Sequence, residues 1–337
     1  LFFKFPDQSL NFLNRPAGTM VILIAGWLLL AFINLIIKKM GIATGTPDLF
    51  PFSEFDGPRI HIAGLPYSVA FLVILFVSQK YSCKFNSLHV WITGLVLIVS
   101  GNLAQGGIDE AFLKPINSPF YYLNLPHYQQ YYHDAVKITD WHEWLRSFNV
   151  NQAHLLSHTR THPPFAVLLY YFFIKLGSNS LLFLAGSFIL LSSISIILIF
   201  RIMKVLGLSK QQSAQIALLF SVFPAYNIYS AVSLDAVIVT FSSLFLIGTV
   251  MIIRDRISLA GAVLFIAGIV LTNLLTFLGL FLIAAAGLIA LREIIINKSR
   301  DILVMLFVSA FIILTCCVSW TMLEPTYGCI RVFFQTP

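Results

Sequence analysis

The chain has 337 residues, 58% of them hydrophobic and 10% charged, whereas soluble globular domains carry about 25% charged residues. That balance excludes a soluble globular domain and reads as an all-α polytopic membrane protein. The net charge of +7 does not point to nucleic acid, because the 21 Lys and Arg residues lie in small groups at the ends of apolar runs, where they carry topology information.

Apolar runs near or above the ~18 to 20 residues that cross a bilayer recur along the chain, too many and too spread out for a signal peptide. Runs bounded by charges or turn residues predict spans at 17–37, 61–78, 88–104, 180–202, 211–230, 233–253, 258–273, 275–291 and 302–323. With the ambiguous stretch 163–176 the expectation is nine to ten transmembrane helices. Residues 258–291 are one apolar block, divided at Thr272-Asn273 because about 34 residues at 1.5 Å each exceed a bilayer. The chain opens on Leu1 and stops at Pro337 just after an apolar run, which reads as a fragment of a longer protein. Cys83, Cys316, Cys317 and Cys329 have neither metal-ligand spacing nor a disulfide framework and are read as packing residues. Three parts follow: N-terminal transmembrane helices over 1–104, a long loop over 105–162 with interfacial helices and the candidate active site, and C-terminal transmembrane helices over 163–337.

Charge sets the orientation. Arg201, Lys204 and Lys210 follow one span, Arg254 and Arg256 another, and Arg292, Lys298 and Arg300 a third, so these loops are expected to be cytoplasmic. The stretch PPFAVLLYYFFIKL, 163–176, is short for a span and typical of a re-entrant or interfacial segment. If it does not cross, the loop 105–162, the turn at 225–232 and the Thr272 hairpin all lie outside. If it crosses, the loop becomes cytoplasmic and parts from the turn that carries Asp235. The non-crossing reading is preferred, and Lys38 and Lys39 then fall on the outer side as a mild violation of the charge rule.

At 58 residues, the loop 105–162 is far longer than ordinary connections. It carries Phe112, Phe120, Tyr121, Tyr122, Tyr128, Tyr131, Tyr132, Trp141 and Trp144, a composition that argues against disorder and for short amphipathic helices at headgroup level. Within it, HDAVKITDWHEWLRSF spaces Val136, Ile138, Trp141, Trp144, Leu145 and Phe148 as one in-plane helix, with Asp140, Glu143 and Arg146 mostly opposite.

The acidic residues number only 14, so their placement carries information. Asp109 and Glu110 in GGIDEAF follow the span 88–104, Asp134 and Asp140 lie further along the loop, and Asp235 in SLDAVIV opens a later span. Each alone is most simply a solvated charge or a helix cap. Their expected convergence on one membrane face, with the basic stretch SHTRTHPPF at 157–165, is what points to a site. His158 and His162 have the i, i+4 spacing of a metal pair, but Pro163-Pro164 disfavours helix at His162 and no Glu stands between them. Arg160 with its flanking histidines suits a phosphate or pyrophosphate, the plain alternative being a headgroup anchor. Pro163 and Pro164 favour a helix start and set a sharp entry into the apolar segment.

In these residues the chain resembles the GT-C membrane glycosyltransferases that use polyprenyl-phosphate sugars. The likeness lies in the acidic pair Asp109-Glu110 outside a span, the long outer loop, and its end in RTHPPF before LLYYFFIKLG, similar to the HPP or KPP motif of the dolichyl-phosphate-mannose and aminoarabinose transferase-like families. The later FSVFPAYNIYSAVSLDAVIVTFSSLFLIG is similar to their Pro-containing span end followed by an Asp. It covers about residues 88–290. Two departures stand out: two spans precede the one before the acidic loop, and Phe165 replaces the usual small residue after Pro-Pro.

The resemblance implies transfer of a sugar from a polyprenyl-phosphate donor to a hydroxyl on a lipid, glycan or protein acceptor at the outer or luminal face of the bilayer. Asp109 is the expected base, with Asp134 the alternative. Glu110 would orient the acceptor or a divalent cation, the one cofactor considered, and Asp235 would bind the acceptor or hold the loop. Arg160, His158 and His162 would contact the donor phosphate. The competing class is a multi-pass transporter or lipid-linked-sugar flippase, which places ionisable or broken-helix sites nearer the midplane, often with internal repeats.

Overall fold

The computed structural model describes residues 16–42, 61–117, 120–122, 125–127, 130–255, 258–276 and 279–297. The span expected at 302–323 and the basic residues Arg256, Lys298 and Arg300 lie outside them. The chain divides between Arg59 and Ile60 into two compact units. In the first, α1 (Pro16–Lys39) carries Lys38 and Lys39 in its last turn, where cations complement the helix dipole, and leaves Leu28, Leu29, Phe32 and Leu35 exposed.

The second unit begins with a 3-10 turn and α2 (Leu65–Tyr81), a further 3-10 turn (Ser82–Lys84) and α3 (Ser87–Leu103). Then come a π-helical turn (Asp109–Leu113), α4 (Lys114–Asn117), a hairpin of β1 (Phe120–Tyr122) with β2 (Leu125–His127), α5 (Gln130–Ala135), α6 (Trp141–Arg146), α7 (Phe148–Asn151) and α8 (Ser157–Arg160). The long helices follow: α9 (Pro164–Leu176), α10 (Leu181–Val205), α11 (Lys210–Val222), the short α12 (Pro224–Tyr229), α13 (Leu234–Asp255), α14 (Leu259–Leu275) and α15 (Gly279–Asn297). Three stretches, Ile62–Lys84, Leu181–Val205 and Leu234–Arg254, are helical, long and apolar enough to cross a membrane, and α3, α9 and α14 are shorter apolar helices.

Helix starts are set by caps. Asn86 and His89 make a capping box on α3, Ser209 and Gln212 make one on α11, and Ser180 and Ser258 cap α10 and α14, each satisfying amide donors that a helix start leaves open. At the turn between α9 and α10, Ser178 and Asn179 adopt φ of 49° and 65°.

Helix α10 is the hub, packing on α3, α9, α11 and α13 around Ile98, Leu168, Phe188, Ile196 and Leu218, all fully buried. Helices α13 and α14 approach closely because Gly248 and Gly268 lack side chains: a Cβ on either would strike the backbone of Phe265 or Phe245, the use of small residues expected between membrane helices. Buried polar groups find partners across the bundle. The Tyr226 hydroxyl donates to Ser192 O at 2.7 Å and meets Ser195 Oγ at 2.6 Å. The Thr240 hydroxyl donates to the same Ser192 carbonyl at 2.8 Å, and Trp91 Nε1 donates to Ser193 Oγ at 2.8 Å.

The bundle has two chemically different ends. At one, Lys210 Nζ donates to Lys84 O at 3.4 Å and the Arg254 guanidinium donates to Val205 O, next to Arg201 and Lys204 on the last turns of α10. At the other, the end of α3 meets α12, where Asn102 Nδ2 donates to Asn227 O at 2.8 Å. The π turn that carries Asp109 and Glu110 follows α3 at this second end.

Three expectations change. The span expected at 211–230 is broken between α11 and α12, because Pro224 removes a helix donor and holds Phe223 in an extended conformation, φ −59°, ψ 122°. The long apolar block divides at Thr276 rather than Thr272-Asn273, since Asn273 Nδ2 donates to Ile269 O at 3.1 Å and keeps its amide satisfied inside α14. The single in-plane helix expected over 133–148 is divided among α5, α6 and the start of α7; the Asp140 carboxylate accepts from the His142 and Glu143 amides at 2.7 and 3.2 Å and so restarts the helix at α6 as an N-cap. Helices α2 and α3 belong to the same compact unit as the later helices.

Candidate functional site

Asp109 and Glu110 sit just beyond α3. The chain turns through Gly106 and Gly107 at φ 144° and 87°, values that side chains rarely adopt, and then enters the π turn, a distortion frequent at functional sites. A Cβ on Gly106 would crowd both Glu110 and the His61 ring, at 2.6 and 3.1 Å. The Lys114 ammonium lies between the two acids, donating to Glu110 and standing 3.5 Å from Asp109. Its hydrogen bond, aided by its charge and that of His61, holds the Glu110 carboxyl below the usual range, and the same bond pushes Lys114 up. Asp109 points outward, its side chain 64% exposed.

Asp134 is elsewhere and differently employed. Its side chain is 2% exposed, and it accepts from the Leu156 amide at 3.0 Å and from Lys137 Nζ at 3.0 Å. The carboxylate ties α5 to the chain before α8. Both of its oxygens are engaged, which leaves Asp109 the more exposed of the two candidate bases.

The basic stretch forms one turn, α8, and then stops. Pro163 stands at the N-cap of α9 with φ −58° and ψ 152°, Pro164 opens the helix, and both are buried, as expected of a fixed entry. His162 lies beyond α8, so His158 and His162 do not share the helix that a metal pair needs; the His158 side chain lies outside the described residues. Arg160 is exposed, its carbonyl accepting from Gln152 Nε2 at 2.7 Å; among the described residues its guanidinium makes no ion pair.

His162 meets groups that the sequence did not single out as site residues. Its ring sits edge-on to Tyr131, centroids 5.4 Å apart, and Tyr131 stacks on Tyr170 at 5.7 Å. The Tyr170 hydroxyl donates to Val232 O at 2.5 Å, which joins α9 to the turn that presents Asp235. Burial, and then the negative charge of Asp235, push the Tyr131 phenol well above its ordinary value. Asp235 itself is exposed, accepts from Ser233 Oγ at 2.8 Å, and makes no ion pair among the described residues. Tyr131, His162 and Asp235 are thus brought together from three separate elements.

No family model, curated protein or solved structure matches the chain. The site is therefore read from its own chemistry: two exposed carboxylates at one end of the bundle, Asp109 shadowed by Lys114 and Asp235 beside Tyr131 and His162. Among the described residues no group of three or more His, Cys, Asp or Glu side chains is placed to hold a metal ion. A divalent cation at Glu110 would have to displace Lys114, so the residues present do not fit that role. Tyr131 could have been flagged from sequence only by its place one turn before Asp134; nothing in the spacing relates it to Asp235, 104 residues on.

Proposed function

We propose that the chain is a polytopic glycosyltransferase of GT-C type, with nine to ten transmembrane helices and its site on the extracytoplasmic face. The observation that carries this reading is the gathering of Asp109, Glu110, His162 and Asp235 at the bundle end opposite Lys84, Arg201, Lys204, Lys210 and Arg254, the end that the positive-inside rule assigns to the cytoplasm. Helix α9 has 13 residues, about 20 Å at 1.5 Å each, against a hydrocarbon core of about 30 Å. That length supports the non-crossing reading, which keeps the loop and Asp235 on one side.

In the reaction a hydroxyl oxygen of the acceptor attacks the anomeric carbon while the bond from that carbon to the phosphate oxygen breaks, its electron pair leaving with the polyprenyl phosphate. A carboxylate takes the hydroxyl proton. Asp109 fits as base by its exposure, with Lys114 steadying the acidic pair and Glu110 orienting the acceptor. Asp235 binds the acceptor beside Tyr131. Arg160 and His162 stabilise the departing phosphate, whose negative charge grows as the bond breaks, with His158 on the same turn as Arg160. The expected test is transfer of radiolabelled sugar from polyprenyl phosphate in membranes: Asp109→Asn and Arg160→Ala lower turnover at least a hundredfold, and full activity in both variants would sink the proposal.

One observation favours a transporter instead. The break at Phe223-Pro224 and the hydroxyl-lined seam of Ser192, Ser195, Tyr226 and Thr240 resemble a discontinuous helix facing a polar path. Uptake or flipping of a lipid-linked sugar by a chain that transfers none would decide for it.

A further inference from the structure

At the basic end, two ammonium groups flank one aromatic ring and a third reaches the backbone of one of them. Lys80 Nζ and Lys84 Nζ stand 5.7 and 5.6 Å from the Tyr81 ring centroid, and Lys210, from the start of α11, reaches across to donate to Lys84 O at 3.4 Å. All four residues are exposed. None of the lysines makes an ion pair among the described residues. The sequence explains why: no Asp or Glu occurs between residues 57 and 108 or between 144 and 234. These intervals include α2, α3, α11 and the 3-10 turn at Ser82–Lys84, against which α11 packs. Three like charges are held near one another where α2, α3, α11 and the Ser82–Lys84 turn offer no carboxylate, an arrangement that an anion from outside would relieve.

The shape of that anion follows from α2. Val69, Val73 and Phe76 are exposed by 61%, 54% and 72%, and at spacings of four, three and then four residues they line up with Lys80 on one face of the helix. From Lys80 to Val69 the stripe runs about 16 Å along the axis, close to half the ~30 Å hydrocarbon core. A charged head at the membrane border with an apolar track reaching to mid-bilayer matches a phospholipid and not a free anion. A cation against a ring face is also stabilised where it is partly desolvated, so Tyr81 keeps Lys80 and Lys84 at headgroup depth, where aromatic side chains accumulate.

We propose that Lys80, Lys84, Lys210 and Tyr81, with the Val69–Val73–Phe76 stripe, form a binding site for an anionic phospholipid on the face opposite the candidate active site. The site stands independently of the glycosyltransferase reading. It is tested on the full chain purified in neutral detergent, titrated with phosphatidylglycerol or phosphatidylcholine of equal chain length and followed by native mass spectrometry. Phosphatidylglycerol binds more tightly than phosphatidylcholine, and its binding weakens as ionic strength rises. Each of Lys80→Gln, Lys84→Gln and Lys210→Gln weakens it about fivefold, since a basic residue near an anionic surface contributes about 1 kcal/mol. Lys175→Gln, at the end of α9, leaves it unchanged. These lysines are exposed, so the single variants keep the fold. Equal affinity for the two lipids, or phosphatidylglycerol binding unaltered in all three single variants, overturns the proposal. Displacement of the lipid by millimolar sodium phosphate also overturns it, by assigning the cluster to a free anion.

Discussion

Asp134 offers the sharpest separation of a structural from a chemical role. Its carboxylate makes two bonds of unequal value. The one to Lys137, whose side chain is 58% exposed, contributes about 0–1 kcal/mol after solvent screening. The one accepted from the Leu156 amide at 3.0 Å involves a charged acceptor with almost no solvent access and contributes about 1.5–3 kcal/mol. Asp134→Ala is therefore expected to destabilise the attachment of α5 to the chain before α8 by about 2–4 kcal/mol. Asp134→Asn, whose amide oxygen still accepts the Leu156 N–H, costs about 1 kcal/mol. At 1.4 kcal/mol per factor of ten, even 2 kcal/mol speeds opening of the Leu156 amide roughly thirtyfold. Hydrogen exchange read by mass spectrometry over residues 150–160 measures this directly, and transfer activity is measured on the same preparations. The expected outcome is fast exchange with reduced activity for the alanine variant and near-native behaviour for the asparagine variant. If Asp134→Asn abolished transfer while Leu156 stayed protected, Asp134 would be a chemical group and the tether account would fail.

The Lys114 ammonium lowers Glu110, so that ion pair is present above the unfolded glutamate value of about 4.3 and is lost as pH falls through Glu110's lowered value. Thermal midpoints of the wild type and Lys114→Gln accordingly differ slightly at neutral pH in low salt and converge in acid; a gap unchanged at about pH 3 would refute the assignment. Gly268→Val drives a side chain into the Phe245 backbone and is expected to destabilise the α13–α14 pair by about 1–3 kcal/mol, visible as a lower melting temperature in detergent that Gly287→Val, in open space, does not reproduce. Asp235→Asn brings Tyr131 only part of the way back to its ordinary value, because burial is the larger cause; a pH titration of ring-labelled tyrosine by NMR checks this, and an unmoved Tyr131 resonance would mean that Asp235 does not face it.

The sequence announces what depends on local chemistry. Apolar runs and their charged ends locate α2, α3, α10, α13 and α14 to within a few residues, and Pro163-Pro164 marks the start of α9. The sequence carries no sign of the structure where a side chain's partner is remote or a single polar atom decides. Asp140 looked like part of a helix face because its capping role depends on whether the helix continues or restarts, and both follow a similar apolar spacing. Asn273 looked like a break, yet its amide closes on Ile269 and lets the helix continue. The site was legible as a set of charges near one end, while its division was not: Lys114, four residues after Glu110, was within reach of inspection, but Tyr131, Tyr170 and Asp235 meet only through the tertiary path of α9.

The break at Phe223-Pro224 lies eleven residues before Asp235, and the sequence near it shows how a buried break is tolerated. Proline interrupts the ladder between α11 and α12, and a carbonyl freed inside an apolar bundle must find another donor. Asn227 supplies it: Nδ2 donates to Ser221 O at 2.8 Å and to Leu97 O at 3.2 Å. Its backbone carbonyl in turn accepts from Asn102, and Gly101 is small because the Asn227 side chain fills the space of a Cβ. Asn227→Leu removes two donors from buried carbonyls, about 1–3 kcal/mol by analogy with soluble proteins and nearer the low end for membrane bundles. In a Pro224→Ala background the backbone ladder can close over Ser221, so Asn227→Leu should cost less there than in the wild type. A double-mutant cycle on thermal stability isolates this coupling. Equal costs in both backgrounds would mean that Asn227 serves only the contact with α3 and does not repair the break.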